Sequence, residues 1–267
     1  METKIIQLKE PSLSLSKVDL NAVMTVAGSD SSGGAGIEAD LKTFSAFGVY
    51  GLTCITALTA QNTTGVRRFD KTGQKLAKEI LAANLEDMLY AYTPDTAPLK
   101  VIKTGMLTNE AIAELIDQMP KINEYNVKLI VDPVMISTSG SKLSDDNGMK
   151  LCVDKLMNQA FLVTPNFPEA MALYELTDGT ERKITINSMD DFIEFVISLQ
   201  KSLGCKNILV KGGHIPFTKN NKPVTNYNHS NAQIRDILYE SELERVTVFQ
   251  SAYIDSNDNH GSGCTLA

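Results

Sequence analysis

At 267 residues the chain is long enough to bury a large core, and it fits one α/β domain better than two. Hydrophobic residues at 43% and charged residues at 21% are ordinary for a globular protein, and a net charge of −7 argues against a sequence-independent nucleic-acid binder, which needs a basic face. The four cysteines, Cys54, Cys152, Cys205 and Cys264, are too few and too scattered for a disulfide framework. Without a Cys-x-x-Cys pair a zinc site is not expected, and a reduced, cytoplasmic compartment is the simplest reading. No apolar run approaches a membrane span, and Glu2, Lys4, Lys9 and Glu10 leave no room for a secretory signal.

Residues 1–20 read as a polar lead-in. From there apolar runs alternate with helical patterns. Residues 22–27 form a continuous apolar stretch, predicted to be a buried strand, followed by a glycine-rich loop at 28–34 and a helix to about residue 47. A second strand is expected over 52–58. Leu81, Leu85 and Met88 fall on one helical face, and residues 99–103 read as a strand. Ile112, Leu115, Ile116 and Met119 repeat at helical spacing, with Thr108 placed as N-cap. Short strands are predicted at 128–131 and 161–163. A helix follows, marked by Phe192, Phe195, Val196 and Leu199, with Ser188 and Asp191 resembling a capping box. One more strand is predicted at 207–210. Residues 217–232 are polar and read as a surface loop, and 233–250 as antiparallel strands at one edge. The alternation implies an α/β fold, a mostly parallel sheet with helices on both faces.

Several of these strands end in polar groups. Lys103 follows the strand at 99, Asp132 the strand at 128, Asn166 and Glu169 the strand at 161, and Lys211 the strand at 207. Ligands of open α/β sheets bind beyond the carboxyl ends of parallel strands. A lysine there neutralises phosphate, and carboxylates with an amide suit a hydrated Mg²⁺. Taken singly, each such residue is ordinarily a solvated strand cap. Near the C-terminus, Gly261, Ser262, Gly263 and Cys264 suggest a loop running into a helix N-terminus, a cradle for phosphate with a thiol beside it. The segment 28–36, Gly-Ser-Asp-Ser-Ser-Gly-Gly-Ala-Gly, is neither a Walker A loop nor a dinucleotide fingerprint. It reads equally as a flexible turn or as a substrate loop.

The segments 26–44, 56–62 (Thr-Ala-Leu-Thr-Ala-Gln-Asn), 103–107 (Lys-Thr-Gly-Met-Leu), 131–134 (Val-Asp-Pro-Val), 164–170 (Thr-Pro-Asn-Phe-Pro-Glu-Ala), 210–214 (Val-Lys-Gly-Gly-His) and 260–265 (His-Gly-Ser-Gly-Cys-Thr) occur in that order. Together they resemble the hydroxymethylpyrimidine and phosphomethylpyrimidine kinases of thiamine biosynthesis, and fungal members most, some of which carry a further thiaminase-like domain. The resemblance implies a ribokinase-like three-layer sandwich using ATP and Mg²⁺ on a small-molecule pyrimidine, with no nucleic-acid or membrane partner and a homodimer as one expected form. It implies that Ala35, Asp40, Gln61, Met106 and Val134 line the pyrimidine pocket. It implies that Asn166, Asp132 and Glu169 serve the Mg²⁺-nucleotide, that Lys211 contacts phosphate, and that Gly261, Ser262 and Gly263 form the anion hole. Cys264 stands where it would take the substrate hydroxyl proton, a role that requires a lowered thiol pKa, which a helix N-terminus would supply.

Members of that family continue past the Gly-x-Gly-Cys motif. The domain at 21–267 is therefore expected to be truncated at its C-terminus and weak as a kinase. Two alternatives are a pyridoxine or pyridoxal kinase, whose substrates carry a similar hydroxymethyl group, and a non-catalytic paralogue that binds the pyrimidine.

Overall fold

The structure is a computed structural model that describes residues 20–134, 145–178, 184–224, 232–254, 256 and 260–267. The expected lead-in at 1–20 lies outside these except for Leu20. Strand β1 (Ala22–Ser29) is apolar without alternation because both of its faces are covered, as parallel strands require. It pairs in parallel with β2 (Tyr50–Asn62) on one side and with β4 (Leu99–Thr104) on the other. From β4 the parallel ladder continues through β5 (Lys128–Val131), β6 (Leu162–Val163) and β7 (Asn207–Val210). Antiparallel strands close both edges. These are β3 (Gly65–Lys71) beside β2, and β8 (Gln233–Glu240) with β9 (Arg245–Ala252) beside β7. The nine-stranded order is β3-β2-β1-β4-β5-β6-β7-β8-β9.

This order fixes where the helices go. Parallel crossovers are right-handed. The step from β1 to β2 therefore sends α1 (Gly36–Ala46) to one face. The steps in the opposite direction send α3 (Asn109–Glu124), α4 (Asp146–Leu151), α5 (Phe167–Asp178) and α6 (Met189–Leu203) to the other, and α2 (Gln74–Leu85), which follows the antiparallel β3, packs there against α3. Contacts agree with this. The helices α2 and α3 pack together, as do α5 and α6, while α7 (Ser262–Leu266) packs on α1.

The amphipathic helices form as their spacing predicts. In α3, Ala111, Ile112, Leu115 and Met119 are buried and the Thr108 hydroxyl caps the Ala111 N–H at 3.3 Å. In α6 the buried face is Phe192, Phe195, Val196 and Leu199. Ser188 caps the Asp191 N–H at 3.1 Å, while the Asp191 carboxylate reaches back one residue further than a capping box, to the Asn187 N–H at 2.8 Å. Aromatic edges lock α5 to α6, with Phe167 and Phe192 centroids 5.6 Å apart.

Three expectations need correction. The strand over 52–58 runs on to Asn62 and turns into the β2–β3 hairpin. That turn is held by the Asn62 side chain, which accepts from the N–H (3.0 Å) and hydroxyl (2.6 Å) of Thr64. Helix α5 carries no clear apolar stripe in the sequence and was not expected. The loop at 217–232 is not all surface, because Phe217 is fully buried, stacks on Phe192 and bridges to Pro223 and Gln233. Residues 225–231 of that loop lie outside the described residues.

Candidate active site

The chain leaves β1 towards β2 but continues beyond β4 in the opposite direction, so the β1–β4 boundary is the topological switch point of the sheet. A cleft of about 410 Å³ opens there, along the carboxyl ends of the parallel strands. It is lined at β2 by Gln61, at the β1–α1 loop by Ala35, and after β4 and β5 by Met106, Asp132 and Val134. Asn166, Glu169 and Lys211 line it after β6 and β7, and Gly261, Ser262, Gly263 and Cys264 complete it. From β2 to β7 is five strand spacings, so the lining spans about 24 Å of sheet edge.

At the β5–β7 end, Lys211 Nζ lies 3.0 Å from Asp132 Oδ1, which also accepts the Thr164 hydroxyl at 3.1 Å. The ladder persists into the site, with Lys211 N–H donating to the Pro165 carbonyl at 2.8 Å and Phe167 N–H to the Lys211 carbonyl at 3.1 Å. Asn166 and Glu169 form a reciprocal capping box on α5. Each side chain accepts the other's N–H at 2.9 Å. That box is the helix-start signal in Asn-x-x-Glu, beside its value for binding. Burial pushes the Glu169 carboxyl up to about 7, and the Asp132 charge adds to this, against the opposing Asn166 N–H and Lys211.

The other end is built from glycines. Gly36 (φ +56°) opens α1 so close to β1 that a Cβ would overlap the Gly28 carbonyl. Gly261 (φ +79°) lies so close to the Gly34 carbonyl that a Cβ there would overlap it too. The turn that opens α7 is first closed by the Thr265 N–H on the Gly261 carbonyl at 3.0 Å. The N–H groups of Gly263 and Cys264 thus belong to the turn that a helix leaves without partners of its own. The same short loop reaches the far end of the cleft, since a Cβ on Gly263 would stand 3.3 Å from Lys211 Nζ.

Three sequence expectations are corrected here. The Cys264 thiol is not lowered. Burial raises it, and Asp132 and Asp40 add to the rise, against the Lys103 charge and a backbone interaction with Gly36. Asp40 does not line the cleft. It is 2% exposed, held by Lys103 Nζ at 2.7 Å and the Thr25 hydroxyl at 2.5 Å, beneath the glycine floor. Burial raises its carboxyl, opposed by Lys103. The partner lysine stands at the end of β4 as expected, but it is 2% exposed and turned into the core rather than open to the cleft.

Sequence reasoning missed Asp30, Glu38 and His260 as a group. Asp30 N–H donates to Glu38 at 2.7 Å, and His260 Nε2 lies 2.8 Å from Asp30 Oδ2. The Asp-x-Ser turn at 30–32 was a local signal, whereas the Asp30–His260 pairing spans the whole chain and has none.

A mostly parallel sheet with a glycine-lined cleft at its switch point makes this a ribokinase-like α/β protein. The phosphomethylpyrimidine kinase family model matches residues 30–267, and the chain belongs to that family. It is 39% identical over 263 residues to the hydroxymethylpyrimidine/phosphomethylpyrimidine kinase THI21 of Saccharomyces cerevisiae, covering 98% of this chain and 43% of that one. The chain thus spans less than half the length of this yeast relative. Among solved structures, the phosphomethylpyrimidine kinase of Clostridium difficile is similar at 36% identity and TM-score 0.65, over 86% of this chain and 84% of that one. The pyridoxal kinase of Staphylococcus aureus in complex with AMP-PCP is similar at 26% identity and TM-score 0.67, over 93% and 78%.

Proposed function

We propose that the protein transfers the γ-phosphoryl group of ATP to the hydroxymethyl oxygen of 4-amino-5-hydroxymethyl-2-methylpyrimidine, and then a second phosphoryl group to that monophosphate, in thiamine biosynthesis. The observation that carries this reading is the 260–264 loop. It touches the Gly34 end of the cleft through Gly261 and the Lys211 end through Gly263, and so stands where two substrates meet.

Gln61, Ala35, Met106 and Val134 suit the pyrimidine. The Gln61 amide both donates and accepts, as an aminopyrimidine edge requires, and Met106 and Val134 offer apolar walls. Lys211 and the N–H groups of the 261–264 turn meet the charge of the nucleotide phosphates. Asp132 and Glu169 fit a Mg²⁺ ion, with Asn166 beside them. Their mutual repulsion helps push Glu169 up, and a cation relieves it. Mg²⁺ takes one or two carboxylates and otherwise water and phosphate oxygens, so this sparse set is adequate. When bound, the ion neutralises charge on the phosphate oxygens.

In the transfer, the substrate hydroxyl oxygen forms a bond to the γ-phosphorus as the bridging bond to ADP breaks, and Cys264 takes the hydroxyl proton. Such chemistry rests mainly on positioning and charge. Only the thiolate form of Cys264 can take that proton, and burial makes this form scarce at neutral pH but more basic. The four cysteines are free, and among the described residues no helix is long and apolar enough to cross a membrane; the free thiols support a cytoplasmic setting. The test is product analysis with ATP and Mg²⁺, the pyrimidine and pyridoxal offered in parallel. The 36% identity to a phosphomethylpyrimidine kinase against 26% to a pyridoxal kinase favours the pyrimidine.

A further inference from the structure

The chemistry above gives no part to Asp30 and His260, yet they form a densely hydrogen-bonded pair at the cleft. Asp30 is 2% exposed. Its Oδ1 accepts the Ser32 N–H at 2.8 Å and the Ser32 hydroxyl at 2.7 Å. Its Oδ2 accepts the N–H groups of Gly34 (3.0 Å) and Ala35 (2.8 Å), and it faces His260 Nε2 at 2.8 Å. Burial alone would raise this carboxyl, but the bonds from His260, Ser32 and Ala35 outweigh burial and hold it well below the usual range. An ionised carboxylate only accepts, so Nε2 carries the imidazole proton. All of these bonds but one stay within the 30–35 loop. The exception is His260, the residue that leads into Gly261.

The two loops also meet at contact distance. A Cβ on Gly34 would stand 2.8 Å from His260 Cδ2, and Gly261 abuts the Gly34 carbonyl. The side chain and the backbone therefore press the same two segments together. Helix α7, five residues long, packs on α1.

We propose that His260 is a positioning residue. Its bond to Asp30 fixes the 260–264 loop against the 30–36 loop, and so sets where the Gly263 and Cys264 N–H groups and the Cys264 thiol stand when the phosphoryl group passes. The inference rests on the kinase reading above. Removing the imidazole leaves Asp30 with its bonds from Ser32, Gly34 and Ala35, so the carboxylate is not stranded and the fold survives.

The experiment compares kcat, KM for each substrate and Tm among the wild type, His260→Ala, His260→Gln, Gly34→Ala and the His260→Ala/Gly34→Ala double variant. A loop misplaced by about an ångström lowers kcat roughly 10- to 100-fold in His260→Ala, while KM for the pyrimidine stays within about threefold. His260→Gln, whose amide can donate to Asp30, recovers most of the loss. Gly34→Ala mimics His260→Ala because its methyl group displaces the ring. The double variant is no worse than His260→Ala, since the ring it would displace is gone. An unimpaired kcat in His260→Ala, or losses that multiply in the double variant, overturns the proposal while the kinase reading stands. A wild type that phosphorylates no pyrimidine overturns both.

Discussion

Asp40 and Lys103 form an ion pair of 2.7 Å in which both side chains are 2% exposed or less, and replacing one of them should be far worse than replacing both. A buried charge that loses its partner costs about 3–5 kcal/mol, whereas a volume-matched apolar pair is close to neutral. Asp40→Leu strands the Lys103 ammonium, and Lys103→Met strands the Asp40 carboxylate. For a domain of this size such losses lower Tm by about 6–20 °C. The double variant Asp40→Leu/Lys103→Met strands neither charge. It leaves the Thr25 hydroxyl without its acceptor, a loss of about 1 kcal/mol. The coupling in the double-mutant cycle is therefore at least about 5 kcal/mol. Urea unfolding of the four proteins at neutral pH reads it directly. Single variants that cost under about 1 kcal/mol, or that simply add in the double, would refute the reasoning. So would a rise in pyrimidine KM in Asp40→Leu with an unchanged Tm, because that would return Asp40 to the substrate pocket.

Gly261→Ala combines a positive φ with a clash against the Gly34 carbonyl. It should lower kcat about 100-fold through loop displacement, with Tm falling by only a few degrees for about 1–2 kcal/mol of strain; a near-normal kcat in steady-state kinetics would contradict this. Because burial raises the Cys264 thiol, the base is protonated at neutral pH. The pH–rate profile should still be climbing above pH 8, and Cys264→Asp should move that limb to acid, whereas a flat profile from pH 6 to 9 would argue against a base at this position. Asp30 is the opposite case. Its folded pKa is depressed, so its contribution to stability is complete above the unfolded value near 3.9 and is lost as pH falls below it. Urea midpoints measured from pH 6 to 2 should show a shallower acid decline for Asp30→Asn than for the wild type.

Much of this architecture could be read from residue patterns. The parallel strands declare themselves as unbroken apolar runs, and the helices α3 and α6 as stripes at helical spacing with a hydroxyl at the cap. Helix α5 escaped because its apolar residues lie around most of its circumference and its start signal, Asn-x-x-Glu, doubles as a candidate ligand pair. Strand β3 escaped because an edge strand is largely solvated, and Val66-Arg-Arg-Phe-Asp reads as surface. Asp132, Asn166, Glu169 and Lys211 share one cleft, because a parallel sheet brings all its carboxyl ends to one edge. Asp40 and Lys103 were misplaced for a different reason. A local pattern marks a charge as a cap or a ligand, and only tertiary packing reveals that two charges 63 positions apart bury each other. The Cys264 thiol was misjudged because the burial that raises it comes from tertiary packing and outweighs the short turn that was expected to lower it.

Under the proposed function, the two ends of one cleft hold a nucleotide and a pyrimidine alcohol, joined by the 260–264 loop. The most direct measurement is mass-spectrometric detection of phosphorylated pyrimidine, alongside ADP, from the purified chain with ATP, Mg²⁺ and hydroxymethylpyrimidine. Mono- and then diphosphorylated pyrimidine should form, abolished in Lys211→Met, with little product from pyridoxal. ADP released without a phosphorylated pyrimidine, or pyridoxal phosphate as the main product, would contradict it.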